Sequence, residues 1–332
     1  MPPAIGRITQ MPYLCSSRQF NLEHTLVNGQ AFRWRVDGDR WWSCVLTRRD
    51  TYGNPAHILV RLRLDGEQIE WATEPLGQEE FVSDYLRLGV DVVALGQEFC
   101  ECDPSVHAAV QAFPGLRVLR QDPVECLFSF LCTSAAPLHR IRKSVEGLCR
   151  TYGKPYRASD GQQYHAFPEI DDLAQATVED MKALGLGYRA RFVQATARQL
   201  LTLGGAYYLL SLRDRPYAEA KAALVSLTGV GEKIADCVCL FSLDKDDAIP
   251  VDTHIRQIAE RHYLTADTRS MTKTTYALIG DTIRSRFGPM AGWAQQYLFF
   301  EDLFEKRAWS AFERQWTAND AESRSDAPSD PG

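Results

Sequence analysis

Lys233 and Asp252 are the two residues whose type and setting could do chemistry. Lys233 follows Gly231 by two positions, where the apolar periodicity predicts the first turn of a helix. The positive end of a helix disfavours a cation, so a lysine kept there tends toward the neutral amine that a nucleophile needs. Cys237 lies one turn further on the same face, either as a small apolar neighbour or as a partner of the amine. Nineteen residues after the lysine, Pro250-Val251-Asp252-Thr253-His254 offers a carboxylate able to stabilise developing positive charge and to help move protons. Asp252 equally fits an N-cap for the following helix, and the two roles are compatible. His254 suits a phosphate donor or a surface histidine, and the spacing leaves both open.

These residues need a scaffold. Leu227-Thr228-Gly229-Val230-Gly231 joins two short helices expected over 216–226 and 232–243. Its glycines permit backbone angles closed to other residues and let a phosphate approach the amides that open the next helix. Alone, this describes a helix-hairpin-helix, with a tight helix connection as the plainer alternative. Apolar spacing predicts further helices over 124–133, 188–203, 253–263, 274–287 and 291–304. Asp122-Pro123 starts the first of these, and Gly204-Gly205 closes the second.

The first third reads differently. Phe32, Trp34 and Val36 alternate with Arg33 and Arg35 up to a turn at Asp37-Gly38. Val60, Leu62 and Leu64 alternate with Arg61 and Arg63 up to Asp65-Gly66, with a return through Ile69 and Trp71. From 81 to 110 the spacing turns helical. The expectation is an α+β chain, with an antiparallel β-domain over 1–115 packed beside an all-α domain over 116–317. Residues 318–332 are polar and acidic and are expected to be a disordered tail.

Composition excludes several classes. The chain has 332 residues, 45% of them hydrophobic, enough for a real core and two domains. Its longest apolar stretches, such as 126–132, are too short to span a bilayer, and 1–13 lacks the apolar run of a signal peptide. Nine cysteines without a small-domain framework point to reduced thiols in a cytosolic or nuclear compartment. No basic nuclear-targeting run is visible, which favours a prokaryotic cytoplasm, or a nucleus if the source is eukaryotic. The net charge of −6 is uneven: 10 basic against 15 acidic residues over 1–115, 26 against 24 over 116–317, and 1 against 4 over 318–332. An acidic ligand would therefore be held by a few placed donors and not by a broad basic field.

The run from Leu227 through Cys237 to Pro250–His254 resembles the helix-hairpin-helix DNA glycosylases, and within them the 8-oxoguanine DNA glycosylases of eukaryotic type. Asn28-Gly29-Gln30-Ala31-Phe32-Arg33-Trp34, Arg120–Phe130, Leu186–Arg191 and Ala291-Gly292-Trp293-Ala294-Gln295 carry the resemblance over roughly 12–310, in the family's order. It implies an enzyme that extrudes a damaged nucleotide from duplex DNA into a pocket. Lys233 would then attack the sugar C1′ and form an imine, and β-elimination would cut the strand. Asp252 would support the transition state and Cys237 would contact one face of the base. The Gly29 carbonyl would accept the N7 proton that 8-oxoguanine has and guanine lacks. Gln295 would bond the base edge and Phe299 would stack on it. Tyr188 would open the duplex, Arg140 and Arg189 would read the opposite cytosine, and Gly229, Gly231 and His254 would meet the DNA backbone.

The resemblance implies no cofactor, no metal-ligating side chains and a monomer on double-stranded DNA, and it leaves open a cation held by the hairpin carbonyls. Branches of the superfamily that hold an iron–sulfur cluster carry four cysteines near the C-terminus, whereas the last cysteine here is Cys239. A protein that only bound damaged DNA would need neither Lys233 nor Asp252. Two departures stand out. Thr228 replaces a common hairpin proline, and Ala135-Ala136-Pro137 replaces a triplet of asparagines, which weakens the expected recognition of the opposite strand.

Overall fold

The computed structural model describes residues 13–37, 40–134, 136–264 and 270–305. Gly38 of the first turn, Ala135 and the tail over 318–332 lie outside them. Strands β1 (Arg35–Val36), β2 (Trp42–Arg49), β3 (Pro55–Asp65) and β4 (Gln68–Glu74) form one antiparallel sheet in that order. Helix α1 (Leu22–Leu26) precedes the sheet, and α2 (Glu79–Tyr85), α3 (Val92–Cys102) and α4 (His107–Ala112) follow it. Then come α5 (Pro123–Leu131), α6 (Leu138–Tyr152), a hairpin of β5 (Pro155–Arg157) and β6 (Gln163–His165), α7 (Ile170–Gln175), α8 (Val178–Met181) and α9 (Arg189–Leu203). The series ends with α10 (Gly205–Ser211), α11 (Tyr217–Val225), α12 (Glu232–Ser242), α13 (Thr253–His262), α14 (Lys273–Phe287) and α15 (Ala291–Glu305). The architecture is the expected antiparallel sheet beside a mostly helical domain, with the β5–β6 hairpin as the exception.

That hairpin explains why β2 is buried along six consecutive residues and does not alternate. One sheet face packs Trp34, Leu62 and Ile69 with Leu26 and Leu86. Val45 and Leu59 on the other face meet Ala158, Tyr164 and Ala166 of the hairpin. A sheet covered on both faces loses the in–out pattern.

The first strand is shorter than its alternation suggests. Arg33 is as buried as its apolar neighbours Phe32 and Trp34. Its guanidinium pairs with Glu125 of α5 at 2.6 Å and donates to the Val45 and His165 carbonyls. Its charge and directed donors are satisfied by protein, so burial is tolerated and the segment docks on α5 in place of a ladder. Arg117 does similar work beside the β-domain. Fully buried, it donates to the carbonyls of Gln19, Leu86, Arg87 and Val90 and tightens the turn between α2 and α3.

Candidate active site

Helix α9 holds the hairpin that carries the lysine. Thr196 donates to the Thr228 carbonyl at 2.5 Å, and the Gln199 side chain accepts from Thr228 N–H at 3.0 Å and from its hydroxyl at 3.2 Å. Gln199 also donates to the Ser226 carbonyl at 3.1 Å. Threonine therefore gains two bonds where proline would offer no N–H. Gly229 has φ +82°, and an added Cβ would lie 2.5 Å from the Phe192 ring. Gly231 differs: its φ of −94° and ψ of 176° are open to any residue, and a Cβ there would meet nothing within 4 Å. Its value is the open approach to the amides of α12, whose N-terminus no side chain caps.

Gly229→Ala is accordingly expected to destabilise the protein by about 2–4 kcal/mol, from positive-φ strain plus overpacking against Phe192. Denaturant midpoints measure it, and a variant as stable as the parent would mean that Phe192 yields freely.

On α12, half-buried Lys233 places its Nζ 5.3 Å from the centre of the Phe130 ring. Phe130 stacks on Phe241 at 5.6 Å and meets Phe32 edge-on at 5.6 Å, which ties the Gly29 segment to the lysine's surroundings. The buried Cys237 thiol hydrogen-bonds with Lys233 and feels the charges of both Lys233 and Asp252. Burial pushes this thiol up to about 12, against the lowering effect of Lys233, so the side chain is a neutral SH. Lys233 and Cys237 thus cluster on one face of α12, within electrostatic reach of Asp252.

Asp252 is the N-cap of α13, its carboxylate accepting from Ile255 N–H at 2.9 Å. The structural role is real, and it leaves carboxylate lone pairs for charge stabilisation. His254 is half-buried, not a loose surface group. Its Nδ1 lies 2.7 Å from Asp302, which Arg261 also holds, and its ring meets Phe299 edge-on at 5.7 Å. Facing a carboxylate, Nδ1 carries the proton.

Gln295 is buried, with its carbonyl oxygen accepting from Gln296 at 2.9 Å, and Phe299 stands one turn on, half-buried. The start of α15 is fixed by Asp246, which accepts from Trp293 Nε1 at 2.9 Å and from Gly292 N–H through its carbonyl at 2.7 Å. Gly29 has φ +88°, the turn that Asn-Gly favours. The next residue, Gln30, donates to the Thr25 and Arg117 carbonyls and accepts from Leu119 N–H.

Tyr188 is 47% exposed at the head of α9 and meets Phe192 edge-on. Arg189 donates to the Ser134 carbonyl at 2.6 Å and to the Leu186 carbonyl at 3.1 Å, so two of its nitrogens serve the protein here. Arg140 is exposed on the first turn of α6. Ser134 and Ala136 flank Ala135, which lies outside the described residues. Among the described residues no group of three His, Cys, Asp or Glu side chains could hold a metal ion, and no helix is long and apolar enough to cross a membrane.

A sheet domain thus stands beside helices that present a glycine hairpin, a lysine and an aspartate. Residues 12–127 match the 8-oxoguanine DNA glycosylase N-terminal domain, and 128–279 match the HhH-GPD superfamily of base excision DNA repair proteins. The chain is 35% identical over 300 residues to the N-glycosylase/DNA lyase OGG1 of Arabidopsis thaliana, covering 88% of this chain and 80% of that one. It is similar to MBOgg1 in complex with low affinity DNA ligand (29% identity, TM-score 0.76, 87% and 93% of the two chains). It is also similar to the Clostridium acetobutylicum 8-oxoguanine glycosylase/lyase in complex with dsDNA containing cytosine opposite to 8-oxoG (28%, TM-score 0.75, 87% and 93%). The chain belongs to the 8-oxoguanine DNA glycosylase family of the HhH-GPD superfamily. It is a DNA N-glycosylase with DNA lyase activity that binds DNA and acts in base excision repair.

Proposed function

We propose that this enzyme excises 8-oxoguanine from duplex DNA and then cuts the strand through an imine on Lys233. The observation that carries this reading is the cluster that Lys233 and Cys237 make on one face of α12, with the Asp252 carboxylate within electrostatic reach. The lysine amine attacks C1′ of the extruded nucleotide as the base departs, while Asp252 stabilises the positive charge that develops on the sugar. The resulting imine acidifies the adjacent C2′ proton, and its loss expels the 3′ phosphate. Cys237 and Phe299 line the base faces, Gln295 bonds its edge, and the Gly29 carbonyl accepts the N7 proton. Guanine would turn a lone pair toward that oxygen, so the contact discriminates by repulsion.

Gly229 and Gly231 open the phosphate approach to α12, and His254 meets the DNA backbone from α13. Tyr188 enters the duplex, with Arg140 and Arg189 facing the orphaned base. The enzyme acts on duplex DNA as a monomer. Borohydride reduction with an 8-oxoguanine duplex tests the reading: a covalent protein–DNA adduct is expected, and intact duplex with no adduct would overturn it.

Selectivity for the base opposite the lesion is expected to be shallow. Ala135 has no donor where the family's asparagine would bond cytosine, and Pro137 lacks an N–H. Arg140 and Arg189 remain, so cytosine stays preferred, with a loss of about 1–3 kcal/mol, the scale of one base-reading contact. Single-turnover excision opposite each of the four bases, compared with Ala135→Asn, measures it. Equal steepness in both proteins would mean that a neighbour such as His139 fills the gap.

A further inference from the structure

Helix α14 gives no side chain to the cluster described above, yet one of its residues bridges the two halves of that cluster. Asp236 lies three residues after Lys233 on α12 and is fully buried. Its carboxylate accepts from Tyr217 of α11 at 2.5 Å, from Tyr276 of α14 at 2.7 Å and from Lys221 of α11 at 2.8 Å. Lys221 also pairs with Glu232 at 3.1 Å. The Tyr276 hydroxyl in turn accepts from Val251 N–H at 3.1 Å, one residue before Asp252.

A phenol has one proton. The carboxylate at 2.7 Å takes it ahead of the Ile249 carbonyl at 3.3 Å, leaving a lone pair for the Val251 amide. Asp236 and Lys233 ride on one rigid helix, and Val251 is bonded directly to Asp252. Apolar residues of the same volume would often be as stable as a buried ion cluster, so its distinctive contribution is geometry.

We propose that Tyr276 is a positioning residue of the excision reaction, which through Asp236 and the Val251 amide sets where Asp252 stands relative to Lys233. This rests on the chemistry assigned above to Lys233 and Asp252. The alternative is a cluster that only stabilises the fold, and Tyr217 separates the two. It bonds the same carboxylate but does not bond the segment before Asp252.

The experiment is single-turnover excision of 8-oxoguanine at saturating enzyme, with DNA Kd and Tm recorded for each variant. Tyr276→Phe is expected to slow excision about 10- to 100-fold, the scale of a misplaced catalytic group, with Kd within about twofold. Tyr217→Phe should lower Tm comparably and slow excision no more than about threefold. In an Asp252→Asn background, Tyr276→Phe should cost less than about threefold, because it acts through the missing charge. A Tyr276→Phe rate within twofold of wild type overturns the proposal, as does a loss undiminished in the Asp252→Asn background. Should Tyr276→Phe not fold, amide exchange in the wild type decides. Val251 N–H should exchange as slowly as the amides of α13, and exchange at a free-loop rate overturns the proposal. Borohydride trapping of wild type and Lys233→Gln runs alongside. Absence of a Lys233-dependent adduct overturns the chemistry and the positioning with it, whereas normal trapping with an unaffected Tyr276→Phe overturns the positioning alone.

Discussion

Lys233→Gln is expected to abolish borohydride trapping and strand cutting while leaving binding to damaged DNA within a few-fold. Imine formation needs a primary amine with a free lone pair, and a carboxamide cannot supply one. Glutamine keeps most of the aliphatic stem, so the fold should survive the change. Excision itself should fall at least about 10³-fold, since both the nucleophile and its electrostatics are lost together. Gel detection of the reduced adduct and of nicked strand, with thermal melting as the control for folding, gives the measurement. Full trapping by Lys233→Gln would remove Lys233 from the reaction and move the search to another amine.

The hairpin that carries the lysine was legible because its signal is local. Glycines at fixed offsets, a helix start and an i,i+4 partner all fall within Leu227–Cys237, and α12 forms there with Lys233 beside Cys237. Asp252 was legible for the same reason, as a capping residue ahead of a periodic helix. Asp236 was not. Its partners sit 19 and 15 residues before it and 40 after, on two other helices, and nothing in its own neighbourhood sets it apart from a surface carboxylate. Arg33 misled for a related reason: an arginine between apolar residues reads as the wet face of a strand. What pays for burying it is Glu125 of α5, 92 residues away. The covered face of β2 was hidden likewise, because the hairpin that covers it is a short pair of strands inside a helical stretch. Glycine turns, caps and helix faces can be read from spacing, whereas buried ion networks and short strands inside a helical stretch depend on packing that spacing does not encode.

Asp252→Asn should slow excision by about 10²–10³-fold with little change in stability, and the structure gives the reason that these two effects separate. The carboxylate caps α13 through Ile255 N–H at 2.9 Å, and asparagine caps about as well. If capping were the whole role, the variant would excise at a near-normal rate. Charge stabilisation is different: the amide oxygen carries only a partial charge, and losing one placed electrostatic group costs about 2.7–4 kcal/mol in the transition state. Asp252→Ala completes the comparison. It removes charge and cap together, so its rate should match that of Asp252→Asn while its stability drops by a further 1 kcal/mol or about that. Single-turnover excision and denaturant midpoints on the three proteins resolve the two roles independently. A rate for Asp252→Asn within a few-fold of wild type, beside a slow Asp252→Ala, would assign the residue to holding α13 in place and leave the sugar cation to another group.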